Sequence, residues 1–115
     1  MSMDIDKLTL CQASDGLRQK AYSSVELTQA VLDAIEKKDG PIGAYLTVDA
    51  EGALRGAAEA DARRAAGETG DLLGVPLAMK DIFNVAGQPC TCASKILEGY
   101  ISPFDATVVA KLKAA

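Results

Sequence analysis

No histidine and no tryptophan occur among the 115 residues, and aromatic side chains make up only 4% of them. Without histidine this chain alone supplies no Ser-His-Asp triad, no Cys-His pair and no His-ligated metal. Cysteine is sparse as well. Of the three, two stand in Cys90-Thr-Cys92, which makes no disulfide framework and reads as a reduced, cytoplasmic protein. Long apolar runs are missing: the longest, Leu72 to Met79, falls far short of the roughly 20 residues that span a bilayer. The acidic start Met1-Ser-Met-Asp-Ile-Asp lacks the basic and apolar regions of a signal peptide, so no membrane role is expected. A basic stripe is absent too. Residues 1–71 carry 8 basic and 13 acidic side chains and residues 72–115 carry 4 and 3, a net of −5 and +1. Direct nucleic-acid binding by this segment therefore has little electrostatic support.

What is present is alanine. Apolar residues reach 49%, yet 20 of them are Ala and only 33 are large. Burying Ala gains little, so the core is thin for a self-sufficient domain of this length. Residues 1–71 read as helical. Thr9-Leu-Cys-Gln12 is a capping-box pattern followed by Leu10, Ala13, Leu17 and Ala21 on one face. Ser23-Ser-Val-Glu26 repeats the start signal, and Leu27, Ala30, Val31, Ala34 and Ile35 make an apolar stripe. Asp33 and Lys37 stand at i,i+4 on the exposed side, and Asp39-Gly-Pro41 is the expected stop. The stretch Ala44-Tyr-Leu-Thr-Val48 is short and β-prone. Asp49 is the cap of a third helix running to about Ala66, with Gly67 as its stop. Its face of Leu54, Ala57, Ala58, Asp61, Ala62 and Ala65 is small enough to pack on a sheet.

Residues 72–115 differ in character. Leu72 to Met79 is continuously apolar, as a strand buried on both faces would be, with Pro76 near its beginning or an open edge. Residues 82–104 read as loop, and Asp105 is the expected start of a last helix with Val108, Val109 and Leu112 apolar. No C-cap follows Leu112-Lys-Ala-Ala115, which reads as truncation. No internal repeat is visible.

Lys80 is the candidate for chemistry. A lysine directly after eight apolar residues is costly to bury charged, and a desolvated lysine gives up its proton more readily, so it can serve as a general base. The bland alternative is a lysine that reaches water or pairs with Asp81. Cys90 and Cys92 lack the further thiol and histidine ligands a tetrahedral metal site needs, so they read as small loop residues. Ser94-Lys95 are adjacent and seldom present both side chains to one point. Gly67, Gly70 and Gly74 are not followed by the Gly-Lys-Ser/Thr of a phosphate loop.

Taken together, Gly74-Val-Pro-Leu-Ala-Met-Lys80-Asp81, Gly87 and Thr91-Cys-Ala-Ser94 at this spacing resemble the opening of the amidase signature family. Ser24-Val-Glu-Leu-Thr28, Ile35 and Ala44-Tyr-Leu-Thr47 match its N-terminal helices. Within the family, Thr91-Cys-Ala-Ser-Lys-Ile-Leu97 and Phe104-Asp-Ala-Thr-Val108 are similar to the A subunits of glutamyl-tRNA(Gln)/aspartyl-tRNA(Asn) amidotransferases. The resemblance implies an α/β fold, helices packed on a mixed sheet, of which this chain is the incomplete N-terminal portion: residues 1–71 helical, residues 72–115 a first core strand with the catalytic lysine, a loop and the start of a helix. It also implies a Ser–cis-Ser–Lys mechanism. The lysine matching Lys80 takes a proton through a bridging serine, which activates a second serine to attack the amide of glutamine. Both serines, the glycine-rich oxyanion region and the glutamine-binding residues belong to later family sequence, so residues 1–115 are expected to be inactive alone. Ile82 departs from the Asn common after Lys-Asp. The implied partners are subunits B and C and, through the complex, mischarged tRNA; ATP and Mg2+ serve the complete complex, with no cofactor or metal held here. The rival readings are a stand-alone hydrolase of small amides and a non-catalytic helical interaction module.

Overall fold

Local capping decides where the helices begin. In the computed structural model, which describes residues 3–115, α1 (Leu10–Arg18) and α2 (Ser24–Ile42) each start in a reciprocal capping box. Thr9 Oγ1 accepts the Gln12 N–H at 3.2 Å while Gln12 Oε1 accepts the Thr9 N–H at 2.9 Å. Ser23 Oγ accepts from Glu26 N at 3.1 Å, and Glu26 Oε2 accepts from Ser23 N at 2.7 Å. The third helix, α3 (Ala50–Ala65), is capped by Asp49, whose carboxylate accepts the Gly52 N–H at 2.9 Å. Each box satisfies two of the N–H groups that a helix start leaves without partners.

Two compact units result, one ending at Pro76 and the other spanning Leu77–Ala115. In the first, Ala13, Leu17 and Leu27 form a buried cluster with Met3, Ile5, Leu8, Tyr22 and Val75 packed against it. Ser24 is its polar node and is 1% exposed. Its N–H donates to Asp61 Oδ1 at 2.7 Å and its hydroxyl donates to the Gly74 carbonyl at 2.6 Å. Asp61 Oδ2 also accepts from Val25 N at 3.1 Å. A carboxylate on α3 thus completes the N-terminus of α2, where the helix dipole favours negative charge.

The boundaries differ from the sequence expectation in places with local causes. Helix α2 runs through Pro41 to Ile42 and ends at Gly43, which takes the left-handed conformation (φ 66°) and donates to the Asp39 carbonyl at 2.7 Å. Proline in a last turn forfeits one backbone bond, and the glycine cap restores an ending two residues later. The Asp39 carboxylate then accepts from Ala44 N and Tyr45 N at 2.7 and 3.2 Å. Residues 44–48 are accordingly exposed connection, not strand. Asp33 accepts from Gln29 Nε2 at 2.8 Å, and no ion pair with Lys37 forms among the described residues. On α3 the inward face is rotated: Ala57 and Ala60 are buried with Asp61 and Arg64 half-buried beside them, whereas Ala58, Ala62 and Ala65 are exposed. Its partner is α2, not a sheet.

The largest correction concerns Leu72–Met79. No strand forms among the described residues, so the mixed sheet implied by the resemblance is not built here. The first half of the segment spends its backbone on the helices instead. The carbonyls of Asp71, Leu73 and Gly74 accept from Ser14 Oγ (2.6 Å), Arg64 Nη2 (2.6 Å) and Ser24 Oγ (2.6 Å). Turns at Gly70–Leu73 and Leu72–Val75, with Gly74 at φ 86°, occupy the corresponding amides. A ladder needs those groups free and a neighbouring extended segment to receive them.

The second unit has little regular structure: a single 3-10 turn at Lys95–Leu97 and a closing helix, α4 (Thr107–Ala114). Val85, Cys90, Ser102 and Val109 are its buried residues. A single antiparallel bridge joins Pro89 and Ile101, flanked by Gly87 N to Ser102 O (2.8 Å) and Ser102 N to Gln88 O (3.0 Å). Asp105 does not cap α4. Its carboxylate reaches back to Ala86 N at 2.8 Å and accepts from Lys113 Nζ at 2.9 and 2.8 Å, so it ties the loop to the helix's last turn.

Candidate functional site

The site is built on Lys80-Asp81, the point where the apolar run ends. Lys80 closes a turn, its carbonyl accepting from Phe83 N at 3.0 Å. Its side chain is exposed, so the desolvating environment expected from eight preceding apolar residues is not supplied by the described chain. Leu72–Met79 has no strand neighbours among the described residues to wall off its end. Lys80 makes no ion pair with Asp81.

Asp81 is occupied elsewhere. Its Oδ1 accepts the Thr91 N–H at 2.7 Å, and its Oδ2 accepts from the Thr91 hydroxyl in a short bond and from Ala93 N at 3.3 Å. Its carbonyl accepts from Cys92 N at 2.9 Å and from the Cys90 thiol at 3.8 Å. Donation by the Thr91 hydroxyl, and then by the Thr91 N–H, holds the Asp81 carboxyl below its ordinary range. The loop it grips is strained: Cys92 and Ala93 are consecutive left-handed residues (φ 50° and 57°) without being glycine. That conformation costs about 1–2 kcal/mol per residue, and surrounding bonds must over-determine it.

The other sequence candidates fall around this loop. Cys90 is buried, and desolvation, followed by the neighbouring Cys92, pushes its thiol up, which disfavours a nucleophilic thiolate. Cys92 is exposed. The Ser94 hydroxyl caps the 3-10 turn by accepting from Ile96 N at 3.3 Å. Among the described residues no group of three or more His, Cys, Asp and Glu is placed to hold a metal, and no helix is long and apolar enough to cross a membrane. The anchoring roles of Asp81 and Thr91 are not evident from the sequence pattern alone. The available signal is an aspartate two residues after an apolar run with a Thr-x-Ala loop ten residues on, an arrangement in which a short carboxylate can serve backbone N–H groups.

An irregular second unit clamped at a Lys-Asp pair, preceded in the chain by a capped helical unit, has close counterparts. The chain belongs to the Amidase family, whose model matches residues 26–115. Among its relatives, the A subunit of the glutamyl-tRNA(Gln) amidotransferase of Azotobacter vinelandii is 53% identical over 95% of this chain, and that of Roseiflexus sp. is 50% identical over 96%. The corresponding Nocardia farcinica protein is 50% identical over 97%. The chain spans 23% of the length of each of these relatives. A solved structure of a vestigial protein complex, described as revealing the evolutionary origins of an s-triazine catabolic enzyme and bound to an inhibitor, superposes with a TM-score of 0.87 at 31% identity. It is matched over 94% of this chain and 24% of its own.

Proposed function

We propose that this chain is the lysine-bearing N-terminal segment of the A subunit of a glutamine-dependent amidotransferase, acting in the cytoplasm. In this reading the complete subunit releases ammonia from glutamine. The ammonia serves ATP-dependent conversion of Glu-tRNA(Gln) to Gln-tRNA(Gln), Asp-tRNA(Asn) to Asn-tRNA(Asn), or both. The observation that carries it is the 48–53% identity to A-subunit relatives across about 95% of the chain.

Lys80 is assigned the base. Its amine takes a proton from a bridging serine, which takes one from a nucleophilic serine whose oxygen attacks the glutamine amide carbon. The proton returns by the same route to the amide nitrogen, the C–N bond breaks and ammonia leaves. Water then cleaves the acyl ester, freeing glutamate and restoring the serine hydroxyl. Neither serine is assigned to a residue of this chain. In this reading the walls that desolvate Lys80 are supplied by the rest of such a subunit, since its side chain is exposed here. Subunits B and C are assigned the tRNA and the ATP- and Mg2+-dependent activation of its carboxylate. The s-triazine-related structure, at 31% identity, gives less support to a stand-alone hydrolase of small amides.

The test replaces the matching segment of the Azotobacter vinelandii relative with residues 1–115 and assembles the product with subunits B and C. Glutamine-dependent ammonia release and amidation of Glu-tRNA(Gln) at rates within about tenfold of the parent are expected. A replaced subunit that folds and assembles but turns over no glutamine would contradict the proposal.

A further inference from the structure

Asp81 has more hydrogen-bonded partners than its place as a run-ending residue requires, and all of them lie on one loop. Its two carboxylate oxygens receive Thr91 N, the Thr91 hydroxyl and Ala93 N, and its carbonyl receives Cys92 N and the Cys90 thiol. One side of the peptide between Lys80 and Asp81 is thereby fixed through Asp81. The other is fixed by the Lys80 carbonyl, which accepts from Phe83 N. The backbone on the C-terminal side of Lys80 is held from two directions, while its side chain is exposed and makes no ion pair among the described residues. Such an arrangement fixes the place of the Lys80 Cα from its C-terminal side and leaves the amine free.

We infer that Asp81 and Thr91 form a positioning clamp that aims Lys80 from the strained Thr91–Ala93 loop. The inference rests on the assignment of Lys80 as the base. Two left-handed non-glycine residues persist because the clamp holds both: Cys92 through the Asp81 carbonyl and Ala93 through the carboxylate. The Thr91 hydroxyl is the part of the clamp that can be removed with least change of shape. Valine has the same branching without the donor, and serine keeps the donor without the methyl group.

The experiment uses Thr91→Val, Thr91→Ser and Asp81→Asn in the replaced-segment subunit, assembled with B and C, with glutamine as substrate. A misaimed base lowers the chemical step and leaves substrate binding alone, so Thr91→Val and Asp81→Asn should lower kcat by about ten- to a hundred-fold with KM within about twofold. Thr91→Ser should restore most of kcat. In the 115-residue chain, the amides of Thr91, Cys92 and Ala93 should exchange with deuterium faster in Thr91→Val than in the parent. Unchanged exchange at these three amides overturns the clamp, and so does a parental kcat in Thr91→Val. Full turnover in Lys80→Ala overturns instead the role of the lysine, whatever the exchange rates show.

Discussion

Removing the Asp61 carboxylate should destabilise the first unit more than any surface charge there would suggest. Asp61 accepts from Ser24 N at 2.7 Å and Val25 N at 3.1 Å, and the two donors differ in what replaces the lost bond. Ser24 is 1% exposed, so in Asp61→Ala its N–H has no water to turn to, a penalty of about 1–3 kcal/mol. Val25 is exposed, and water largely compensates its amide. Loss of a negative charge from the start of α2 adds roughly 0.5 kcal/mol. The total is about 1.5–3.5 kcal/mol, which for a unit of this size lowers Tm by roughly 6–25 °C. Asp61→Asn keeps one acceptor oxygen and loses the charge, so it should cost about 1 kcal/mol. The assay is thermal unfolding followed by far-ultraviolet circular dichroism at low and high salt. Only the charge-dependent part should weaken with salt, because the hydrogen bond to a buried amide is screened little. An Asp61→Ala Tm within 2 °C of the parent (roughly 0.5 kcal/mol) would show that the Ser24 amide does not depend on this carboxylate.

Gly74→Ala should destabilise the same unit by about 2 kcal/mol in chemical denaturation, since φ is 86° and the new Cβ would lie 3.1 Å from Ser24 Cβ and Oγ; an unchanged midpoint would count against it. Asp81 and Asp105 both have lowered carboxyl values, caused chiefly by donation from the Thr91 hydroxyl and from Lys113. The unfolded chain therefore takes up protons first, and the stability these groups add is full above the ordinary carboxylate value of 3.8 and is lost as pH falls through their folded values. Asp105→Asn should flatten the acid limb of stability against pH, and an unaltered slope would exclude this contribution. With a thiol reagent at neutral pH, Cys11 and Cys92 should label while buried Cys90 labels only on unfolding; rapid labelling of all three would show that the second unit is open.

What is legible in the sequence is short-range. Both capping boxes, the Asp49 cap and the Gly67 stop depend on residues three or four apart, and each is found where its spacing puts it. Periodicity places Asp61 on the inner face of α3, but nothing local names Ser24 as its partner thirty-seven residues away. The same distance problem hides the anchors of the second unit, where Asp81 reaches residues 91 and 93 and Asp105 reaches Ala86 and Lys113. The apolar run Leu72–Met79 misleads for a different reason. Its composition reports burial against something, and here Leu73 is buried in a turn whose carbonyls serve Arg64 and Ser24. Periodicity does not tell a ladder from a tether of that kind. The rotated face of α3 has a related cause, because alanines surround the helix and give the pattern little contrast.

The proposed function stands or falls on Lys80 as the base of glutamine hydrolysis. Its most direct test is the rate of ammonia release by the replaced-segment subunit carrying Lys80→Ala, assembled with B and C and compared with the same assembly carrying Lys80. Lys80→Ala should lower kcat by at least about a thousandfold with the assembly and its Tm unchanged. Turnover within tenfold of the lysine-bearing assembly would contradict it.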